Sequence, residues 1–239
     1  MTDEPIGKSE LWRYSALAVP IAFAGFPLYV LAPDYYATTH GVSLSLLGIL
    51  LLGLRLFDAI QDPFIGALSD RYRRSSFWFM TIASVMLCAG IFGLFNALPV
   101  SPAVWFALCI AVTVTAYSVL SINVNALGGL WTKDPAAQTR ITSLREACGL
   151  LGLVIAVSLP GLLKEYFGEE RAYLYFSLIL TCVMILAWVA FAPWLSRHTK
   201  SHAQAKPPSY SWFAGITSAS RQTRVFLGIY ALSMLASSI

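Results

Sequence analysis

The chain has 239 residues, of which 57% are hydrophobic and 12% are charged, and its mean hydropathy is +0.68. Soluble domains carry about 25% charged residues, so this composition excludes an ordinary soluble globule and predicts that the chain is not a soluble enzyme. The formal net charge of +4 is modest and the basic residues cluster in predicted loops, which indicates membrane orientation and not nucleic-acid binding.

Six long apolar runs predict an all-α, polytopic membrane helix bundle. Each run is longer than the roughly 10–14 residues of a buried helix in a soluble protein, and about 20 apolar residues cross the hydrocarbon core. A helix is the expected form because lipid requires each segment to satisfy its own backbone hydrogen bonds. The predicted spans are residues 13–33, 43–68, 77–98, 102–130, 142–163 and 172–195.

The second span carries three ionisable residues, Arg55, Asp58 and Asp62, in an otherwise apolar stretch. Arg55 and Asp58 are three residues apart, and Asp58 and Asp62 are four apart, so all three lie on one helical face. At 1.5 Å per residue, Asp62 lies roughly 12 Å and Asp58 roughly 18 Å from Asp70, near the middle of a membrane. A charge at that depth costs about 2.5–3.5 kcal/mol, so the three groups must face a polar cavity or one another.

Two carboxylates and one arginine leave a net negative charge, which a small cation could balance. Either Na⁺ binds between Asp58 and Asp62, or one of the two aspartates holds a proton. A purely structural alternative pairs Arg55 with Asp58 and lets Asp62 bond to a neighbouring helix. Pro63 frees a backbone carbonyl, which is either a further ligand or part of a plain kink. We therefore predict a cation site at Asp58 and Asp62.

The stretch from Gly48 to Arg74 resembles the glycoside–pentoside–hexuronide:cation symporter (melibiose permease-like) branch of the major facilitator superfamily. The resemblance rests on the string R-x-x-D-A-x-x-D-P-x-x-G, from Arg55 to Gly66. In that branch the two aspartates of span two form the coupling-cation site. The resemblance therefore implies that Asp58 and Asp62 bind the cation and that Arg55 is a structural or gating partner.

The turn after span two contains the string G-x-x-x-D-R-x-x-R, which is common to the whole superfamily. Its Lys and Arg content marks the cytoplasmic side of a membrane. Resemblance to the superfamily further implies that Asp70, Arg71 and Arg74 form a charge latch, which holds the two halves of the transporter together on that side.

Span four carries a polar stripe, because Ser118, Ser121 and Asn125 recur at intervals of three and four residues. The stripe either lines a cavity or forms interhelical hydrogen bonds, each contributing about 0.6 kcal/mol. By resemblance, Tyr117 and Arg145 fall where the branch has polar residues that line its sugar cavity. Ser121, Asn125, Tyr117 and Arg145 are therefore the predicted substrate-cavity residues, although Arg145 could instead form a salt bridge at the end of its span.

The predicted sugar site departs from the pattern of the branch. Ala22 stands where the branch has a sugar-binding aspartate in span one, Ser121 where it has an aspartate in span four, and Asn125 where it has a tryptophan. The resemblance thus implies that the cation machinery is present while the galactoside site is altered. We expect the substrate to be a different sugar or another small organic solute.

Loop charges predict that both ends of the six-span unit are cytoplasmic. The loops near residues 70–74 and 133–140 are basic, whereas the 34–42 and 96–101 loops contain no Lys or Arg. Residues 196–222 are predicted to be a cytoplasmic linker, and 223–239 the start of a truncated seventh span. Residues 1–195 would then be the N-terminal half of a transporter with about twelve spans, whose C-terminal half is missing from the chain.

The sequence predicts a cation-coupled symporter that moves a sugar or another small organic solute by alternating access. The three histidines and four cysteines show no metal-site or redox-pair spacing, and no hydrolase or phosphate-binding motif is present. No cofactor is expected beyond a coupling Na⁺ or H⁺. The expected location is a bacterial inner (plasma) membrane. Two alternatives remain: a proton-coupled exporter, and a truncated, inactive fragment or membrane scaffold.

Overall fold

The computed structural model describes residues 6–97 and 100–202, together with the isolated positions 220, 222, 225 and 229. Residues 1–204 form one unit and 205–239 a second. The predicted seventh span and most of the predicted 196–222 linker lie outside the described residues. In the ranges 6–97 and 100–202 all regular secondary structure is helical, which confirms the predicted all-α membrane bundle.

Six helical segments of this unit are long and apolar enough to cross a membrane, and we number them spans one to six. Span one comprises α1 (Lys8–Ser15), α2 (Ala18–Phe26) and α3 (Ala32–His40). The others are α4 (Leu44–Arg71), α5 (Ser76–Asn96), α6 (Pro102–Trp131), α7 (Pro135–Phe167) and α8 (Glu169–His202). Helices continue past the apolar runs 13–33 and 142–163, because polar end residues can keep helical geometry outside the hydrocarbon region.

Span one is irregular at its prolines. Pro27–Leu31 form a π-helical turn between α2 and α3, in which the Ala32 N–H donates to the Pro27 carbonyl. Proline lacks an amide donor, so Pro20, Pro27 and Pro33 each remove one hydrogen bond of a regular α-helix. The wider turn changes the direction of the side chains that follow it, and it carries Tyr29.

Close helix contacts hold the bundle together at glycines. Gly152 of α7 has no room for a side chain, because an added Cβ would overlap the carbonyl oxygen of Val19 on α2. Gly90 of α5 is similarly crowded by the Thr113 side chain of α6. Membrane helices pack closely where small residues let their backbones approach. Spans one and five, and spans three and four, are therefore tightly joined pairs.

Aromatic clusters occupy both ends of the bundle. At the end that holds Lys8, Trp131 and His198, the rings of Trp194 and His198 stack with centroids 4.4 Å apart. At the opposite end, Phe95 and Tyr173 stack with an interplanar angle of 7°.

Span two contributes little to this core. Leu47 is the buried residue of α4, and the rest of the helix is exposed or half-buried within the unit. The charged face of span two therefore lies at the edge of this unit, where Arg55 is exposed and Asp58 and Asp62 are half-buried.

Candidate functional site

Asp58 lies at the middle of the 28-residue helix α4 and is half-buried. Its Oδ1 accepts a hydrogen bond from Gln61 Nε2 at 2.7 Å, and Gln61 Oε1 accepts one from Thr115 Oγ1 at 3.1 Å. Gln61 therefore bridges Asp58 to span four. Neither Gln61 nor Thr115 is among the predicted site residues. The signal for Gln61 was its position three residues after Asp58, which places it on the same helical face.

Asp62 is half-buried one turn further along α4. Its Oδ1 is buried and has no hydrogen-bond partner among the described residues. A buried polar atom without a partner carries its full desolvation cost, about 1–3 kcal/mol and more for a charged group. This oxygen is therefore free to bind a proton or a cation.

Arg55 contacts an aromatic ring instead of a carboxylate. Its guanidinium carbon lies 4.2 Å from the centroid of the Tyr29 ring, in the π-helical turn of span one. The ion pairs within 4.0 Å in the described part of the chain join other residues, so the alternative that pairs Arg55 with Asp58 is not what the structure shows. Among the described residues, Asp58 and Asp62 therefore have no direct ion-pair partner.

Tyr117 lies between two charged groups. Its ring faces Gly25 of span one, where an added Cβ would be 3.6 Å from Tyr117 Cε2. The phenol interacts electrostatically with Arg55 of span two and with Glu146 of span five. Tyr29 interacts in the same way with Tyr117. The two tyrosines therefore interact with charged groups of both span two and span five.

Arg145 of α7 has partners from several helices. Its Nη1 donates a hydrogen bond to Asn125 Oδ1 of α6, and its Nη2 pairs with Glu146 Oε1 at 2.6 Å. The guanidinium also makes a polar contact with the Tyr14 hydroxyl of span one. These contacts bring Arg145 and Asn125 together, and they include the salt bridge to Glu146 that the sequence left as an alternative. They include no span-two aspartate.

The predicted polar stripe of span four divides into separate contacts. Ser121 Oγ donates to the carbonyl oxygen of buried Ser118 at 3.3 Å, within α6. Asn125 instead joins Arg145, as described above. Asn123, outside the stripe, donates to Ser69 Oγ of span two at 2.9 Å. The stripe therefore makes an interhelical contact at Asn125 and a contact within α6 at Ser121.

The basic turn after span two, where the charge latch is predicted, contains an ion pair between Asp70 and Arg73. Asp70 Oδ1 accepts from Arg73 Nη2 at 2.8 Å. The Arg71 guanidinium lies 5.7 Å from the Tyr72 ring centroid, and the Arg74 side chain lies outside the described part. Asp70 and Arg73 line a pocket together with Asn123, between spans two, three and four.

Comparisons with known proteins identify transporters. The sequence profile of the MFS/sugar transport protein family matches residues 13–239. The inner membrane symporter YicJ of Escherichia coli (strain K12) is 28% identical over 204 residues, which cover 80% of this chain and 42% of that protein. The isoprimeverose transporter of Lactiplantibacillus pentosus is 24% identical over 201 residues, which cover 77% of this chain and 41% of that protein. No solved structure matches the chain.

The chain spans about two fifths of the length of these two relatives. The family profile matches far more than half of the chain and includes the whole charged face of span two. The match confirms the resemblance that the sequence predicts, and the chain, a multi-pass membrane protein, belongs to the MFS/sugar transport protein family.

Proposed function

We propose that the protein is a cation-coupled symporter that carries a sugar or another small organic solute by alternating access. Its family is one of sugar transporters, and two relatives are named as a symporter and as an isoprimeverose transporter. The observation that carries cation coupling is the buried Oδ1 of Asp62, which has no partner among the described residues.

A cation bound at Asp58 and Asp62 would offset the desolvation cost of the buried carboxylate oxygen that has no partner. Asp58 has one amide donor, from Gln61, and Asp62 leaves one buried oxygen without a donor. The Asp62 Oδ1 is itself buried, so protein or a bound ion would have to supply the missing interaction. A cation held between the two carboxylates neutralises the charge that Arg55 leaves unpaired, because Arg55 lies against Tyr29.

The oxygen atoms available as ligands suit a hard cation. Carboxylate, amide and hydroxyl oxygens of Asp58, Asp62, Gln61 and Thr115 lie on the facing sides of spans two and four. Oxygen ligands of this type favour hard, weakly polarisable cations such as Na⁺. A proton on Asp62 would equally provide an interaction for the buried Oδ1 that has no partner. Both ions therefore fit the site, and the experiment below separates them.

The solute site is proposed at Arg145, Asn125, Tyr117 and Ser121, with the Tyr29 ring beside it. Glu146 lies against the Arg145 guanidinium and balances its charge. A balanced arginine still offers several N–H donors, and Asn125 adds an amide. Aromatic rings supply faces on which the apolar side of a sugar ring can stack. This combination favours a neutral, hydroxyl-rich solute over an organic anion.

The basic turn at residues 71–74 favours a cytoplasmic location for that end of the bundle, and thus for the N-terminus. Asp70, Arg71, Arg73 and Arg74 would then act as the gating residues of the cytoplasmic side. We propose residence in a bacterial inner (plasma) membrane, a C-terminal six-span half that supplies the opposite cavity wall, and no enzymatic activity or cofactor beyond the coupling ion.

Replacing either aspartate tests this proposal. The complete protein would be reconstituted in liposomes, and uptake of radiolabelled isoprimeverose and of a panel of neutral and acidic sugars would be measured under separate Na⁺ and pH gradients. Asp58→Asn and Asp62→Asn should lose gradient-driven accumulation while they still insert into membranes. Asp34→Asn, at an exposed position of α3, is the matched control and should accumulate solute normally.

Gradient-driven uptake at wild-type rates in both aspartate variants would refute cation coupling at this site. Stimulation by the Na⁺ gradient alone identifies Na⁺ as the coupling ion, and stimulation by the pH gradient alone identifies H⁺. Net efflux of solute, driven by an inward proton gradient, would instead support the proton-coupled exporter.

A further inference from the structure

Tyr14 lies where spans one, four, five and six meet. Its side chain is fully buried, and its hydroxyl donates a hydrogen bond to the backbone carbonyl of Val124 at 2.8 Å. The next residue, Asn125, accepts a hydrogen bond from the Arg145 guanidinium, which also interacts electrostatically with the Tyr14 hydroxyl. A single buried phenol therefore links the backbone of span four to the arginine of span five.

Aromatic neighbours hold the Tyr14 ring in place. Its centroid lies 5.5 Å from that of Trp131, 5.0 Å from Trp194 and 6.5 Å from Phe191. Tilted and edge-to-face contacts of this kind are favourable, and a close-packed interior leaves little freedom for the ring to move. The hydroxyl is therefore a fixed point in the bundle.

Gly128 of α6 leaves the space that the phenol occupies. An added Cβ at this position would overlap the Tyr14 hydroxyl and would lie 2.9 Å from Tyr14 Cζ. Its distance to Ile141 Cγ2 would be an ordinary 3.5 Å. Tyr14 is therefore the residue that excludes a side chain at position 128. Glycine at this position leaves room for the Tyr14 hydroxyl beside Val124 and Arg145.

Arg145 is held by groups from three spans. Asn125 of span four and Glu146 of span five accept hydrogen bonds from its two terminal nitrogens, and Tyr14 of span one makes the third contact. A free arginine side chain populates many rotamers, and these contacts restrict it to few. The side chain remains 18% exposed, so its free N–H donors stay accessible.

We propose that Tyr14 is a positioning residue: it touches no solute, yet its hydroxyl sets the orientation of Arg145 and thereby the affinity for solute. This inference rests on the proposed role of Arg145 in solute binding. An alternative is that Tyr14 only fills the core, and the two readings make different predictions for loss of the hydroxyl.

Tyr14→Phe removes the hydroxyl and keeps the ring. The matched control is Tyr36→Phe, because Tyr36 is equally buried and its hydroxyl donates to the Leu94 carbonyl at 2.9 Å, far from Arg145. Leu94 lies in the last turn of α5, where carbonyls lack helical partners, so the control should cost the fold at least as much as Tyr14→Phe does.

The first measurement needs no solute. Phenylglyoxal modifies accessible arginine guanidinium groups, and mass spectrometry of the complete protein gives the rate at Arg145. We expect Tyr14→Phe to accelerate modification of Arg145 severalfold and Tyr36→Phe to leave it unchanged. An unchanged rate in Tyr14→Phe, or an equal acceleration in both variants, overturns the positioning role.

The second measurement separates binding from turnover. For the panel sugar that the wild type accumulates, Tyr14→Phe should raise KM about tenfold and leave the maximum rate unchanged, as expected if a misoriented Arg145 loses one hydrogen bond to the solute. The Na⁺ or H⁺ dependence should not move. A fall in maximum rate with constant KM overturns the proposal. Loss of gradient dependence in the wild type would instead overturn the proposed function, while the modification rates would still test the Tyr14–Arg145 link.

Gly128→Ala gives an independent route to the same effect. Its methyl group displaces the Tyr14 hydroxyl, so Arg145 should again react faster with phenylglyoxal. In the double variant with Tyr14→Phe the two changes should not add, because the hydroxyl is already absent. Additive increases in the modification rate would show that Gly128 acts elsewhere and would contradict the link.

Discussion

Gly152→Ala should destabilise the bundle by separating spans one and five. The added Cβ would lie 3.0 Å from the Val19 carbonyl carbon and 3.1 Å from its Cα, and nearer still to its oxygen. These are backbone atoms of α2, so no side-chain rotation relieves the contact and the two helices must move apart. Overpacking of this kind costs about 1–3 kcal/mol, and a backbone clash belongs near the upper end of that range.

Helix propensity partly offsets this cost. Alanine is favoured over glycine by about 1 kcal/mol in a helix interior, so the expected net loss is about 2 kcal/mol. For a unit of this size, that loss corresponds to a fall in Tm of roughly 4–8 °C. Gly149→Ala is the matched control on the same helix, because its nearest neighbour would be the Ala22 Cβ at an ordinary 3.8 Å. The control should keep or raise Tm.

Buried thiols provide the assay. Cys109 and Cys148 are buried, so a thiol-reactive fluorophore reports their exposure as the detergent-solubilised complete protein is heated. We expect a lower Tm for Gly152→Ala and an unchanged or higher Tm for Gly149→Ala. Equal melting curves for the two variants, or a stabilised Gly152→Ala, would show that spans one and five do not approach as closely as the structure indicates.

Two further predictions concern the cation site, and both use calorimetric titration of the complete protein with NaCl or, for a proton site, direct proton-release measurements. Gln61→Leu should weaken Na⁺ binding about tenfold, because it removes an amide oxygen ligand and the hydrogen bond that orients the Asp58 carboxylate. Thr115→Val removes only the outer hydrogen bond and should have a smaller effect on Na⁺ binding, so equal effects would contradict this order. Tyr29→Leu should also weaken ion binding, because Arg55 loses its aromatic partner and becomes free to pair with Asp58. Tyr29→Phe keeps the ring and should bind the ion normally. Equal ion binding by the two Tyr29 variants would argue against the cation–π contact.

The number of spans and the shared face of Asp58 and Asp62 were predictable from the sequence. Lipid requires a long apolar helix for each crossing, so hydropathy alone identifies the crossings. A spacing of four residues places two side chains on one face of any helix, whatever its neighbours. These features depend on local sequence and on the solvent, and need no knowledge of tertiary contacts.

The partners of the charged groups were not predictable. Arg55 could pair with Asp58 by spacing, but the structure places it on Tyr29, whose direction depends on the π-helical turn that begins at Pro27. Asn125 and Arg145 are twenty residues apart and meet only because spans four and five pack together. Contacts of this kind depend on helix packing, about which local periodicity carries no information.

The sparse burial of span two has a mechanical consequence. Displacing α4 leaves the apolar core almost untouched, since Leu47 is the buried residue of that helix. The junction of spans one and five is stiff by comparison, because Gly152 lies directly against the backbone at Val19. Because both carboxylates lie on α4, a cation bound at the proposed site would pull on that helix, which would yield before the rest of this unit. The helix that carries the carboxylates is thus easier to displace than the tightly packed pair of spans one and five.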